Sequence, residues 1–261
     1  MVESSRITGF GVIHLAQLKG KPTNHAQTLV AHSQWPKSPS QVGVEMLVAD
    51  HPVLSLPDKP VDFHTSAKIF WNQVYHSGRA QGHAYAALDR PYEHFTLLTS
   101  FLRPAIASTL ECKLAGTEVS FSPKSGVDLS QELSRLHLNL GLVFDAQLSR
   151  LAKKTGEFLA SRVGSPLELI EIEQAAHVER SKEMHAKAVA KGMQFVVAGA
   201  DHIAEMEELF GINTFYPHGH VQSALACRAR EGIALNRKHA DLLLAWEKHL
   251  FPGSAKFAKK N

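Results

Sequence analysis

Apolar and polar residues alternate strictly in some stretches of the chain and recur at three- and four-residue spacing in others. Two stretches carry the strand-like period of two. In the first, residues 5 to 19 (S-R-I-T-G-F-G-V-I-H-L-A-Q-L-K), Phe10, Val12, Ile13 and Leu15 are apolar, and Gly9 and Gly11 thin the run. Glycine inside a strand marks a bulge or a close approach by another backbone; a twisted edge strand is expected. In the second, Leu110, Cys112 and Leu114 alternate with Glu111 and Lys113, and Thr117, Val119 and Phe121 alternate with Glu118, Ser120 and Ser122. Gly116 supplies the turn, so a two-stranded ribbon is predicted.

Helical spacing takes over from Asp128, where Leu129, Leu133, Leu136, Leu140, Leu148, Leu151, Phe158 and Leu159 form one stripe to about Arg162. Asp128 followed by Gln131 is an N-terminal signal, and Gly141 marks a break inside the run. Thr23 opens a short helix with His25, Ala26, Leu29 and Val30. A proline-rich stretch from Trp35 to Asp62 holds one strand-like run, Val42 to Val48. Helices are predicted over 63–88 and 91–103, the second ended by Pro104. Ser165-Pro166-Leu167-Glu168 combines an N-cap serine, a first-turn proline and a third-position glutamate, so a helix runs from there to about Lys191. Further helices span roughly Asp201 to Phe210, closed by Gly211, and His220 to Phe251, closed by Pro252-Gly253. The expected fold is α+β and predominantly helical: a mixed N-terminal part, residues 1–127, with β-ribbons, and a helical C-terminal part, 128–261, packed as a bundle.

Composition narrows the functional classes. The 261 residues are 44% apolar and 20% charged, as in an ordinary globular chain. No apolar run reaches the length of a membrane span, and M-V-E-S-S-R lacks the features of a signal peptide, so a cytoplasmic protein is expected. Two cysteines, Cys112 and Cys227, sit in apolar patterns and are expected to be reduced packing residues. A net charge of +3 permits an anionic partner without demonstrating one.

Sixteen histidines raise metal chemistry. Glu171, Glu173, His177, Glu179, Glu183 and His185 form the densest group, with Asp201, His202 and Glu205 next, and His218 and His220 beyond. None of the six forms the Glu-x-x-His pair of a di-metal bundle, and there is no His-Glu-x-x-His run. The sequence also lacks a G-x-S-x-G elbow and a G-x-x-x-x-G-K-[ST] phosphate loop. A two-stranded ribbon fits the DNA major groove, where alternate polar side chains meet base edges. Lys113, Thr117, Ser120, Ser122 and Lys124 suit that role, with Glu111 and Glu118 against it. The N-terminal strand is a rival reading surface through Arg6, Thr8 and His14, with Lys19 and Lys21 leaving it.

Several short motifs carry a family resemblance: the glycine-containing first strand, Asn24-His25-Ala26, the amphipathic stretch around Phe70-Trp71, Glu118-Val-Ser-Phe-Ser-Pro123, and Asp145 ahead of Leu148-x-Arg150. Together they resemble the AcaB-type transcriptional activators of IncC-type conjugative plasmids and related integrating conjugative elements, over roughly residues 5 to 250. The resemblance implies a ribbon-helix-helix-like element that binds DNA as a dimer and switches on transfer genes. Ser120 stands where a stronger base-reading residue such as arginine is expected. The resulting expectation is a non-enzymatic, homodimeric, sequence-specific activator without cofactor or metal, partnered by double-stranded DNA and other transcription components. Its alternatives are an assembly subunit of a conjugation or nucleoprotein complex, and a metal-dependent hydrolase using His177, His185 and Asp201.

Overall fold

The computed structural model describes residues 7–49, 51–61, 63–89, 94–102, 106 and 146–253. The fold is α+β, with a five-stranded parallel sheet. Its elements are β1 (Thr8–Val12), β2 (Gln17–Leu18), β3 (Lys21–Pro22), α1 (His25–Val30), β4 (Gln41–Val44), α2 (Phe63–Ala80), β5 (Ala84–Ala87), a helical segment at 94–102, α3 (Ala146–Ala160), α4 (Pro166–Ala190), β6 (Phe195–Gly199), α5 (Ala200–Phe210), β7 (Asn213–Phe215), α6 (Gln222–Lys238) and α7 (Ala240–Leu250). The chain divides into two compact units, Met1–Arg90 with Arg180–Glu231, and Pro91–Glu179 with Gly232–Asn261.

The first unit holds the sheet, in the order β5-β4-β6-β1-β7, with β2 and β3 forming a separate two-residue hairpin. Strand β1 is therefore central, paired in parallel with β6 on one side and β7 on the other. An edge strand was the expectation. Both edges of β1 are taken because the sequence C-terminal to residue 190 supplies two strands, in a half expected to be all helical. F-V-V-A-G is a short, continuously apolar run, as suits a parallel strand covered on both faces.

Alternate residues of the strands feed two cores. Phe10, Val12, Val42, Val44 and Val197 pack with Leu29 of α1 and Phe70, Trp71 and Val74 of α2. Val196 and Ala198 pack on the other face with Met184 and Ala188 of α4 and Ile203 and Met206 of α5. Gly9 and Gly11 belong to that second face: a Cβ on Gly9 would lie 2.8 Å from Ile212 Cδ1, and one on Gly11 would overlap the Tyr216 ring and sit 3.1 Å from Ala200 Cα. The glycines of the first strand thus answer to close approach, not to an edge.

Residues 84–87, expected to continue a helix, instead form β5. Gly82 adopts φ 84 and turns the chain, and the Ala84–Ala87 backbone then pairs with β4; tertiary pairing overrides alanine's helix propensity. The capping signals hold better. Ser165 Oγ accepts the Glu168 amide hydrogen at 3.2 Å, while the Glu168 carboxylate accepts that of Gly164 at 2.9 Å. Gly211 ends α5 with φ 66.

The described part of the second unit is helical. Phe95, Leu98, Phe101, Phe158, Leu159, Ile172, Leu243 and Trp246 form its core, and the Trp246 indole donates to Thr155 Oγ1 at 3.2 Å. The ribbon at 110–124, the boundary expected at 127 and the first part of the helix expected over 128–162, up to residue 145, lie outside the described residues; the remainder of that helix is α3. Cys227 is exposed, against the expectation of a packing residue, because its stretch of α6 faces solvent.

Candidate functional site at the carboxyl ends of the strands

All five parallel strands end at one edge of the sheet, and polar or charged residues lie within three residues of four of those ends. Glu45 directly follows β4, and Asp89 follows β5 by two residues. His14 follows β1 by two, and His202 lies in the first turn of α5, which starts where β6 ends. The Asp89 amide hydrogen bonds to the Glu45 carbonyl at 3.2 Å, and that of Glu45 to the Val197 carbonyl at 2.9 Å, so the two carboxylate-bearing residues extend the strand register.

Arg180 of α4 ties the two carboxylates together. Its Nε lies 3.2 Å from Asp89 Oδ2, its terminal nitrogen makes a closer pair with the same oxygen, and that nitrogen is 3.6 Å from Glu45 Oε1. All three side chains are nearly buried, with 8%, 9% and 14% exposed for Arg180, Asp89 and Glu45. In such surroundings an ion pair is strengthened and the loss of one partner is severe. The other oxygen of Glu45, Oε2, accepts the Gly199 amide hydrogen at 2.7 Å. Gly199 also packs beside His14: a Cβ there would lie 3.5 Å from His14 Cε1 and 3.4 Å from Glu45 Oε2. The His14 ring is stacked on Trp71.

One residue after Arg180, Ser181 touches two more ionisable groups. Its hydroxyl donates to Glu205 Oε2 and lies 2.7 Å from His202 Nδ1. The other imidazole nitrogen, Nε2, is 3.8 Å from Glu45 Oε1. Glu45, His202, Ser181 and Glu205 therefore form one continuous polar chain beneath the sheet's carboxyl edge. Ser181 is wholly buried, so it serves the network and is no exposed nucleophile. Lys187 of the same helix donates to the Leu88 carbonyl at 2.8 Å.

A second histidine group closes the loop after β1. His218 Nδ1 accepts the Ile13 amide hydrogen and its Nε2 donates to the His25 carbonyl, both at 2.9 Å. His25 stacks on it at 4.3 Å and reaches the Ile13 carbonyl through Nδ1 at 3.1 Å. Burial pushes the His218 imidazole down to about 4; its hydrogen bond to the His25 carbonyl opposes the shift, and the charges of the His25 and His220 rings add to it. A neutral ring with one donor and one acceptor nitrogen suits this clasp.

The residues expected to read DNA fall in different places. Thr8 is a half-buried member of the central strand, flanked by β6 and β7, so its backbone is committed on both edges. His14 belongs to the carboxyl-end group. Lys19 and Lys21 are exposed on the β2–β3 hairpin. Arg6, Lys113, Thr117, Ser120, Ser122 and Lys124 lie outside the described residues. Of the residues weighed for a hydrolase, Asp201 is half exposed and pairs with Arg228 at 2.8 Å, and His185 stacks on Phe210 at 3.8 Å. His177 is one turn before Ser181 on the same face of α4.

Sequence reasoning reached His202 and Glu205 as members of a charged group but passed over Glu45, Asp89, Arg180 and Ser181. The signal for two of them is a carboxylate placed just after a short apolar run, V-G-V-E and A-Y-A-A-L-D. Compared with known proteins, the chain matches no family model, no curated protein and no solved structure.

Proposed function

We propose that the chain is an enzyme acting by proton transfer on a small polar substrate, bound at the carboxyl ends of β1, β4, β5 and β6. One observation carries this reading: Glu45 and Asp89, from two strand ends, and His202 and Glu205, from one helix, converge with Arg180 and Ser181 at one edge of the sheet. Open parallel sheets bind ligands at that edge, where connections leave neighbouring strands on opposite faces. β1 and β6 are such neighbours, because α1 packs on one face and α5 on the other.

In this reading His202 and Glu45 are the acid–base pair. An imidazole changes charge near neutral pH, and a carboxylate beside it can take or return the proton. Arg180, anchored by Asp89, positions Glu45. This reading departs from the non-enzymatic expectation of the sequence because clustered, buried ionisable groups at the carboxyl edge of a parallel sheet are a feature that catalytic sites share. A thermal-shift screen of small metabolites, followed by turnover assays on each hit, tests it. His202→Gln and Glu45→Gln are expected to lower turnover at least about 100-fold while keeping the fold. Undiminished turnover in both variants would sink the assignment.

A second reading retains a homodimeric, DNA-binding transcriptional activator with a ribbon-helix-helix-like element. It is favoured by the β2–β3 hairpin, which carries Lys19 and Lys21 exposed on a turn with φ 49 at Lys19 and 75 at Gly20. Lysines there suit phosphate contacts. Anisotropy titrations of duplex DNA across salt concentrations are expected to show a salt slope that falls by about 2 in a Lys19→Glu, Lys21→Glu variant. An unchanged slope removes the hairpin from the reading.

A further inference from the structure

We propose that His25 Nε2 is a further proton acceptor of the site, taking the proton of a substrate hydroxyl or of a water bound at the carboxyl end of β1. The proposal rests on the carboxyl-end edge being the ligand site, and adds a base and a substrate class to it.

The loop clasp fixes where the protons of two rings lie. The Ile13 amide can only donate, so His218 Nδ1 carries no proton, and its Nε2–H donates to the His25 carbonyl. The Ile13 carbonyl can only accept, so His25 Nδ1, 3.1 Å away, must carry one. A neutral His25 then has its lone pair on Nε2. Among the described residues no group is hydrogen-bonded to that atom, and it is not itself buried. The ring is therefore held from one side and open on the other.

Protonation affects the two rings differently. On His218 it would turn a new Nδ1–H against the Ile13 amide hydrogen, and burial keeps that ring neutral down to about 4. On His25 it breaks no hydrogen bond, because Nδ1–H still donates to Ile13. The His25 ring stacks on the neutral His218 at 4.3 Å with 24° between the planes, so the proton it gains meets no charge on its stacking partner. His220 is the next ring, 6.4 Å from His218, and Asp201 and Arg228 act on it with opposite signs.

Strand register puts this lone pair at the edge of the sheet. Val12 pairs with Gly199, so Ile13 stands level with Ala200, the first residue of the helix that carries His202. An imidazole lone pair accepts a hydrogen bond from an O–H before taking its proton, an approach that a C–H bond does not offer. In the step the O–H bond breaks, its electron pair stays on oxygen, and the proton forms the second N–H of an imidazolium. The same proton is returned to the product. A clasp alone would need only the Nδ1–H donor, which an asparagine side chain also supplies.

Three measurements on the full chain test the proposal. A long-range proton–nitrogen correlation spectrum at pH 8.5, where imidazoles are neutral, is expected to show His25 protonated at Nδ1 and His218 at Nε2. Brief treatment with diethyl pyrocarbonate, which acylates exposed unprotonated imidazole nitrogens, should modify His25 and spare His218 in peptide mapping. With a substrate that the chain turns over, His25→Asn should lower kcat at least about 100-fold and leave KM within about threefold, with a thermal unfolding curve like that of the parent. The first two measurements need no variant. A His25 ring protonated at Nε2 overturns the proposal, as does one that the reagent leaves untouched. Undiminished kcat in His25→Asn also overturns it, and each of these outcomes leaves the carboxyl-end reading standing on His202 and Glu45. A chain that turns over no substrate sinks that reading, and the assignment of His25 falls with it.

Discussion

Glu45, which follows β4, accepts the amide hydrogen of Gly199, the last residue of β6, at 2.7 Å. A side chain from one strand end thus fixes the start of the helix that grows from its neighbour, and with it the position of His202. The same carboxylate faces Arg180 through its other oxygen. Glu45 is therefore a structural pin as well as a proposed participant in chemistry.

Removing that pin should be measurable. Glu45→Ala strips an acceptor from a buried amide and a partner from a buried guanidinium, and is expected to cost about 2–3 kcal/mol in urea unfolding. Glu45→Gln keeps an acceptor for Gly199 and should cost less than half of that. Equal losses for the two would show that the amide contact contributes nothing.

Gly11 lies on the sheet face that packs closely against Tyr216 and the backbone of Ala200. A methyl group there cannot be accommodated by a flexible chain end, because the obstacles are an aromatic ring and a helix start. Gly11→Ala is expected to destabilise by about 2–3 kcal/mol, as overpacking of a filled core does. Gly192→Ala, with φ 63 and open space around it, should cost about 1–2 kcal/mol from backbone strain alone. Comparison of the two by thermal or urea unfolding separates crowding from conformation.

In the helical unit, Asn236 is buried and donates to the Ala175 carbonyl at 2.9 Å and to Glu179 Oε1 at 2.8 Å. Asn236→Ala leaves both acceptors short of a donor and is expected to cost about 2 kcal/mol. Hydrogen exchange should report the loss in α4 and α6 of that unit. Unchanged protection there would count against the contact.

Burial drives the imidazole of His218 down to about 4 and also lowers His83, His185 and His220, with desolvation the leading cause in each. The unfolded chain titrates these rings near 6.5, so below that pH it binds more protons than the folded chain, for His218 over the window from about 6.5 to about 4. The His218 contribution to stability is complete above pH 6.5 and is lost as pH falls through that window, and the three other rings add to the loss in the same direction below pH 6.5. Chemical unfolding at pH 7.5, 6 and 5 should show this decline. In a His218→Gln variant the slope should be shallower, and an identical slope would remove His218 from the account.

Local rules in the sequence determined the pieces whose physics is local. Ser165 and Glu168 cap α4 and Gly211 ends α5, because each needs only a hydrogen bond or a left-handed residue within one turn. The apolar spacing of 63–80, 146–160 and 200–210 likewise suffices for helices, since one stripe of each must be covered. Tertiary structure decided the rest. Ala84–Ala87 is a strand because β4 offers it a partner, and β1 is central because β6 and β7, more than 180 residues later, pair with both its edges. The candidate site followed the same division: His202 and Glu205 are near neighbours on α5 and could be grouped by eye, whereas Glu45 and Asp89 meet them through parallel pairing and Ser181 through the packing of α4 on the sheet. In a parallel sheet every strand ends at the same edge, so residues remote in sequence become neighbours there, a consequence of strand order that no local periodicity encodes.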